Sequence, residues 1–166
     1  MAKKIMDMDY IDVENGKKRI VFENSRKYGF PIDSVDPMRG DIFYIGCTDI
    51  KELITRASRS HRILTVDNKI QIIPSNWIHL VIEDNSKDWP DRIKTTSEKK
   101  DVDETRRTYY FPIYGKDGEK KLVTFSIENV RDLYVRPSGT HRIVTTDGTL
   151  HIVPAGWVKI DTEKSK

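Results

Sequence analysis

The feature that most constrains this chain is an internal repeat at a spacing of 80 residues. Residues 60–80 read SHRILTVDNKIQIIPSNWIHL, and residues 140–160 read THRIVTTDGTLHIVPAGWVKI. The register holds without a gap from residue 53 to residue 77. It then slips by one residue upstream, where residues 30–32 match residues 111–113. The repeated unit is longer than a solenoid repeat, so we predict two copies of a whole small domain.

Composition agrees with two small cores. Only 37% of the 166 residues are hydrophobic, which is low for one well-filled core. Small domains bury a smaller share of their surface, so we expect the two copies to pack against each other. The net charge of +3 comes from 29 basic and 26 acidic residues. This balance permits nucleic-acid binding without arguing for it.

A single cysteine, Cys47, excludes an intramolecular disulfide and a cysteine-rich zinc site. The sequence contains no motif that predicts a metal site or a cofactor. The chain has no apolar run long enough for a transmembrane helix or a signal-peptide core. We therefore expect a protein of the cytoplasm, in a bacterial cell or in a host cell that carries a phage or another mobile element.

Two turn signals predict the hairpin in each copy. Asp147-Gly148 is typical of a two-residue type I′ turn, and Asp67-Asn68 is a weaker form of it. This turn would place Thr65 opposite Ile70 and His61 opposite Pro74. The predicted core face then holds five residues in the first copy (His61, Ile63, Thr65, Ile70, Ile72) and five in the second (His141, Ile143, Thr145, Leu150, Ile152).

A tight turn at Pro74 and another at Pro154 predict a third strand that completes a meander in each copy. With the earlier strand-like runs, this favours an all-β chain of two tandem small β-barrels or β-sandwiches. One short helical turn per copy is the alternative near residues 49–54 and 127–133. The predicted divisions are a polar N-terminal arm (1–16), a first β repeat (17–84), a charged linker (85–104), a second β repeat (105–161) and a disordered tail (162–166).

His61 and His141 are candidates for an acid–base pair, since they are equivalent in the two copies. Their place on the predicted core face favours a structural role instead. A hydrolytic enzyme would require the hairpin register to be wrong by one residue. We therefore predict no catalytic residue and a non-enzymatic protein.

Arginines are the candidate binding residues. Arg62 and Arg142 are predicted to point away from the core, where they suit a phosphate or carboxylate; the alternative is a salt bridge between the copies. Arg56 and Arg59 precede Arg62 in a stretch without acidic residues. The second copy has Arg136, and Gly139 replaces Arg59. Such patches bind phosphates, but they are also common in solvated loops.

The tryptophans divide into two kinds. Trp77 and Trp157 are equivalent and are expected to anchor the two cores. Trp89 lies in the linker without a counterpart, so it is a candidate anchor for the linker or for a partner protein. Cys47 aligns with Ile127, which predicts a small buried residue.

These features favour a regulatory tandem-repeat protein that binds nucleic acid through two related basic surfaces. The binding residues would be Arg56, Arg59, Arg62, Arg136, Arg142 and Trp89. The alternative is a protein-binding adaptor or inhibitor, of the kind a phage or plasmid encodes, acting through exposed strand edges and the linker.

Overall fold

The computed structural model describes residues 10–12, 16–56, 58–83 and 98–164, and within them all regular structure is β-strand. The all-β prediction is therefore confirmed. The strands are β1 Tyr10–Asp12, β2 Gly16–Ile32, β3 Asp41–Thr55, β4 His61–Thr65, β5 Ile70–Ile73, β6 His79–Glu83, β7 Glu98–Tyr114, β8 Lys120–Val135, β9 His141–Thr145, β10 Leu150–Val153 and β11 Lys159–Lys164. Below, the first half is β2 to β6 and the second half is β7 to β11.

The strands form one antiparallel sheet in the order β11-β7-β8-β9-β10-β6-β2-β3-β4-β5, and β1 pairs with β2 off this path. The sheet does not close, so neither a barrel nor a sandwich is confirmed. The two halves have the same strand order: β6-β2-β3-β4-β5 in the first and β11-β7-β8-β9-β10 in the second. They are joined where β10 pairs with β6.

The long strands correct two predictions. β3 is continuous over 15 residues and β8 over 16, where the sequence indicated separate short strands. The helical turns near residues 49–54 and 127–133 are wrong, because both stretches lie in these strands. Each strand has a β-bulge there, after a residue with positive φ: 53° at Asp49 and 54° at Asn129. A bulge bends a strand without ending it.

The predicted hairpin register is wrong by one residue. The Thr65 N–H donates to the Lys69 carbonyl over 2.9 Å, which leaves a three-residue loop between β4 and β5. Asn68 has a φ of 66°, whereas a type I′ turn needs positive φ at both central residues. His61 therefore pairs with Ile73 instead of Pro74. Thr145 and Gly148 make the same loop in the second half.

This shift changes the core face only on the second strand of each hairpin. His61, Ile63 and Thr65 are buried as predicted, but Ile70 and Ile72 are exposed. In the second half, His141, Ile143 and Thr145 are also buried. The predicted core face is thus correct for β4 and β9 and wrong for β5 and β10. Leu150 and Ile152 lie on the face of Val144 and pack in or against the first-half core, whereas Ile143 lies in the second-half core.

The third strand does not complete a meander. β6 pairs with β2 on one side and β10 on the other, and β11 pairs with β7. The segments after Pro74 and Pro154 are therefore crossing loops instead of tight hairpin turns. Two predicted boundaries also move: β7 begins at Glu98, inside the predicted linker, and β11 continues to Lys164, inside the predicted tail. Pairing of β11 along β7 supplies the hydrogen bonds that order this end.

Two hydrophobic cores result, and each takes residues from the other half. The first-half core contains Tyr28, Cys47, Ile63 and Leu80, together with Tyr134, Val144 and Leu150 of the second half. The second-half core contains Tyr109, Phe125 and Ile143, together with Ile78 of the first half. The expectation that the copies pack together agrees with this arrangement, and Cys47 is buried as predicted.

Candidate functional site

The paired arginines do not form two matching exposed surfaces. Arg142 is only 5% exposed, and Arg62 is partly buried. Arg142 lies on the same strand as Val144, whose side chain packs in the first-half core. The prediction that Arg142 points to solvent is therefore wrong, because this side of β9 is covered by the first half.

The other arginines lie at the turns that lead into β4 and β9. The Arg56 N–H donates to Ser60 over 3.0 Å, and the Arg136 N–H donates to Thr140 over 2.9 Å. Arg59 is exposed and has a φ of 71°, where Gly139 in the second half has 89°. Trp89 lies outside the described residues.

Each half contains a buried polar network that ends on the candidate histidine. In the first half, Arg26 Nε donates to Glu23 Oε1 over 2.5 Å and Arg26 Nη1 donates to Tyr28 Oη over 2.7 Å. Tyr28 Oη is 2.6 Å from His61 Nδ1. The tyrosine hydroxyl accepts from arginine and has its own proton left to donate to the imidazole. Trp77 packs on His61, with ring centroids 5.6 Å apart.

The second half repeats this network. Arg107 Nη1 donates to Glu104 Oε2 over 3.0 Å, Arg107 Nε donates to Tyr109 Oη over 2.8 Å, and Tyr109 Oη is 2.7 Å from His141 Nδ1. Burial, with a smaller contribution from Arg107, lowers the pKa of His141 to about 4. Burial also raises the pKa of Tyr109 to about 12.

Both members of the hydrogen bond from Tyr109 to His141 are therefore neutral at pH 7. For His141, a fixed, neutral and buried imidazole supports the structural interpretation. The hairpin register is shifted by one residue, as the acid–base alternative required, yet His61 and His141 both remain buried. The prediction that neither histidine is catalytic stays a prediction that nothing here tests. The sequence carried a signal for the whole network, since the pattern Glu-x-x-Arg-x-Tyr occurs at residues 23–28 and again at 104–109.

A second polar cluster joins the halves. His79 Nε2 is 2.9 Å from His151 Nδ1, and Tyr44 Oη is 2.7 Å from His79 Nδ1. The His79 ring stacks on Phe125 at a centroid distance of 4.1 Å. Burial lowers the pKa of His79 well below its usual range. Burial also lowers the pKa of His151 to about 4. Both rings are neutral at pH 7 and pack as aromatic groups.

The loop between β2 and β3 also docks on the second half. Asp33 accepts a hydrogen bond from Lys121 Nζ, a side chain that is only 4% exposed. The Gly40 N–H donates to the Leu122 carbonyl over 3.0 Å, and the Leu122 N–H donates to the Met38 carbonyl over 3.2 Å. The first half therefore covers β8 with both main-chain and side-chain contacts.

Equivalent residues of the two halves differ sharply in exposure. Leu150 on β10 is 2% exposed, but its counterpart Ile70 on β5 is 68% exposed. Val123 on β8 is 1% exposed, but its counterpart Phe43 on β3 is 54% exposed. Ile70 and Ile72 pair with Leu64 and Arg62 and point away from the first-half core, whereas Phe43 and Ile45 pair with the core residues Phe30 and Tyr28 on the other face of the sheet. We call the two exposed isoleucines of β5, Ile70 and Ile72, the open surface.

Comparison of this chain with protein-family models, with curated proteins and with solved structures found no match. Within the described ranges, no helix is long and apolar enough to cross a membrane. The same part of the chain has no group of three or more histidine, cysteine, aspartate or glutamate residues that could hold a metal ion. The open surface is the candidate functional site. The sequence pattern did not reveal it, because the predicted hairpin register placed Ile70 and Ile72 on the core face.

Proposed function

We propose that this protein is a non-enzymatic binding module that engages a protein partner through the open surface. The observation that carries the proposal is that the same surface is buried in the second half. Leu150 and Ile152 are the counterparts of Ile70 and Ile72, and they pack in and against the first-half core. The fold therefore buries apolar side chains at the equivalent positions of β10 against another part of the protein.

The edge of β5 adds main-chain groups to this surface. Among the described residues, β5 pairs only with β4, which leaves the other side of the strand without a neighbour. An unpaired edge is a template for a further strand, and an apolar side chain beside it adds affinity. Exposed contiguous apolar residues on a folded protein commonly mark an interaction site.

The repeat also supports a proposal about origin. We infer that the chain arose by duplication of one five-stranded unit. The sequence repeat, the shared strand order and the repeated glutamate–arginine–tyrosine–histidine network support this. Duplication explains why an apolar surface that is covered in one half is present in the other.

Photo-crosslinking tests the binding proposal. Benzoylphenylalanine placed at position 70 should crosslink to protein in the cells that produce this chain. The matched control is position 66, because Val66 is exposed and its counterpart Thr146 is exposed as well. Adducts from position 70 and none from position 66 would support the proposal. Equal adducts from both positions, or none from position 70, would contradict it.

Nucleic-acid binding remains a second candidate, resting on the turn that leads into β4. Arg59 is exposed there, and the hydroxyls of Ser58 and Ser60 lie 3.1 Å apart beside it. Hydroxyls and guanidinium groups together suit a phosphate. Fluorescence anisotropy of labelled DNA and RNA at two salt concentrations tests this. Salt-sensitive binding that Arg59→Ala weakens would support this candidate, and binding that Arg59→Ala leaves unchanged would exclude this turn.

A further inference from the structure

The pairing between β10 and β6 leaves one unused copy of each partner strand. β5 is the counterpart of β10 and β11 is the counterpart of β6, as the strand order of the two halves shows. β10 and β6 pair with each other, whereas β5 and β11 lie at the two ends of the sheet. Within the described part of the chain, β10 and β6 form one strand pair, and their counterparts β5 and β11 are available to form a second pair of the same kind.

From this geometry we infer that the partner of the open surface is the β11 end of a second copy of this chain, in a head-to-tail assembly. The inference rests on the function proposed above and names its partner. The β11 of one copy would extend the sheet of the next copy along β5, as β6 does along β10 within the chain.

The intrachain register defines the contact. Leu150 pairs with Ile82, His151 with Val81 and Ile152 with Leu80. The equivalent pairs between copies are Ile70 with Thr162, Gln71 with Asp161 and Ile72 with Ile160. One position further along, Lys69 would face Glu163, and opposite charges on directly opposed residues stabilise a strand pair.

The β11 end has the exposed apolar side chains that this contact requires. Val158 is 61% exposed, whereas its counterpart Ile78 is 8% exposed and packs in the core of the other half. Tyr114, the counterpart of Asp33, is also exposed, but the counterpart of Lys121 is Asp41, so the ion pair of Asp33 with Lys121 has no equivalent between copies. The two ends of the sheet are thus complementary in their strand edges and in the apolar side chains beside them.

A contact between two different surfaces is heterologous. Such contacts build a ring if the rotation between copies closes, and a filament if it does not. The inference therefore predicts oligomers larger than a dimer, whose population rises with protein concentration. It also predicts that blocking either end prevents growth.

Three variants separate these outcomes in sedimentation velocity. Ile70→Lys blocks the β5 end, Val158→Lys blocks the β11 end, and Val66→Lys is the matched control at an exposed apolar residue outside the proposed contact. All three positions are exposed in the single chain, so the substitutions leave the fold intact. Circular dichroism of each variant verifies this.

We expect wild type and Val66→Lys to form large oligomers, and Ile70→Lys and Val158→Lys each to be monomeric. An equal mixture of the two blocked variants should give a dimer and nothing larger, because each supplies the one intact end that the other lacks. Two double variants extend this test, each mixed with Ile70→Lys. One carries Val158→Lys with Ile72→Lys, and its control carries Val158→Lys with Val66→Lys. The affinity of the dimer should be at least about tenfold lower with the Ile72→Lys double variant than with the control.

Three results would overturn the inference. Wild type could be monomeric up to about 1 mM. Val158→Lys could assemble like wild type, which would indicate a symmetric contact between β5 edges. The mixture of blocked variants could grow beyond a dimer. If the purified chain is monomeric while position 70 still crosslinks to another protein in cells, this inference fails and the proposed function stands. If position 70 gives no adduct at all, both fail.

Discussion

At the scale of single residues, each half buries a chain of four polar side chains: Glu23, Arg26, Tyr28 and His61 in the first, with their counterparts in the second. Burying charged groups is costly unless each is paired and hydrogen-bonded. Here the carboxylate neutralises the guanidinium, and the tyrosine hydroxyl links it to the buried imidazole. The networks therefore link the middle of β2 to the start of β4, and the middle of β7 to the start of β9.

Removing one hydroxyl from this network should destabilise the fold. Tyr109→Phe would leave Arg107 and His141 each without one hydrogen bond, so we expect a loss of about 1–2 kcal/mol in the free energy of unfolding. Tyr110→Phe is the matched control, because that hydroxyl bonds to Asp161 at the surface. Urea denaturation measures both, and equal losses would show that the buried bond has no special weight.

The histidines at the junction of the halves predict a pH dependence. The pKa of His151 is about 4 in the folded chain against 6.5 ordinarily, so between these values protons bind preferentially to the unfolded state. Stability should therefore be constant above pH 6.5 and fall as the pH falls towards 4. His151→Gln, which copies Gln71 of the first half, should reduce the loss between pH 7 and pH 5 by about 2 kcal/mol. Thermal unfolding across this range checks it, and an unchanged pH slope would count against a neutral His151.

At the scale of elements, local patterns predicted the strands and the buried face of β4, because alternation along one strand depends only on that strand. They did not predict the loop after β4. Asp67-Asn68 and Asp147-Gly148 suit both a two-residue loop and a three-residue loop with a final left-handed residue. A difference of one loop residue moves Ile70 and Ile72 to the other face. Local patterns also did not predict that β3 and β8 continue through their β-bulges.

The turn before β4 contains a strained residue that its counterpart avoids. Arg59 has a φ of 71°, a conformation that costs an ordinary residue free energy and glycine very little. Arg59→Gly should therefore stabilise the chain by about 0.5–1 kcal/mol. Gly139→Ala should destabilise it by about 1 kcal/mol, since its φ is 89° and a Cβ would lie 3.2 Å from the Ala155 Cβ. Chemical denaturation measures both changes, and the same sign for both would contradict the account.

At the scale of the whole molecule, equivalent residues acquire different environments. Arg62 and Arg142 both stand between a histidine and an isoleucine at the same place in a hairpin, yet only Arg142 is classed as buried. The cause is the pairing of β10 with β6, a contact between residues distant in sequence. No local pattern encodes which copy lies on which side of that junction. The exposure of the candidate arginines was therefore beyond prediction from the repeat alone.

The same asymmetry predicts a difference in stability between matched substitutions. Leu150→Lys would place a charge in the first-half core and should cost more than about 3 kcal/mol. Ile70→Lys changes an exposed residue and should alter the stability of the dilute single chain by no more than about 0.5 kcal/mol. Thermal or urea unfolding at low protein concentration compares the two. Similar costs would show that the two halves are covered alike in solution.

The central claim is that β5 is equivalent to β10 and pairs with a strand of another chain. Hydrogen exchange measured at several protein concentrations tests this claim most directly. In dilute solution, amides of residues 70–73 should exchange faster than those of residues 150–153, whose strand lies between β9 and β6. At high concentration, protection should rise in β5 and β11 and stay unchanged in β10. Protection of β5 equal to that of β10 in the dilute chain, or fast exchange of β5 at every concentration, would contradict the account.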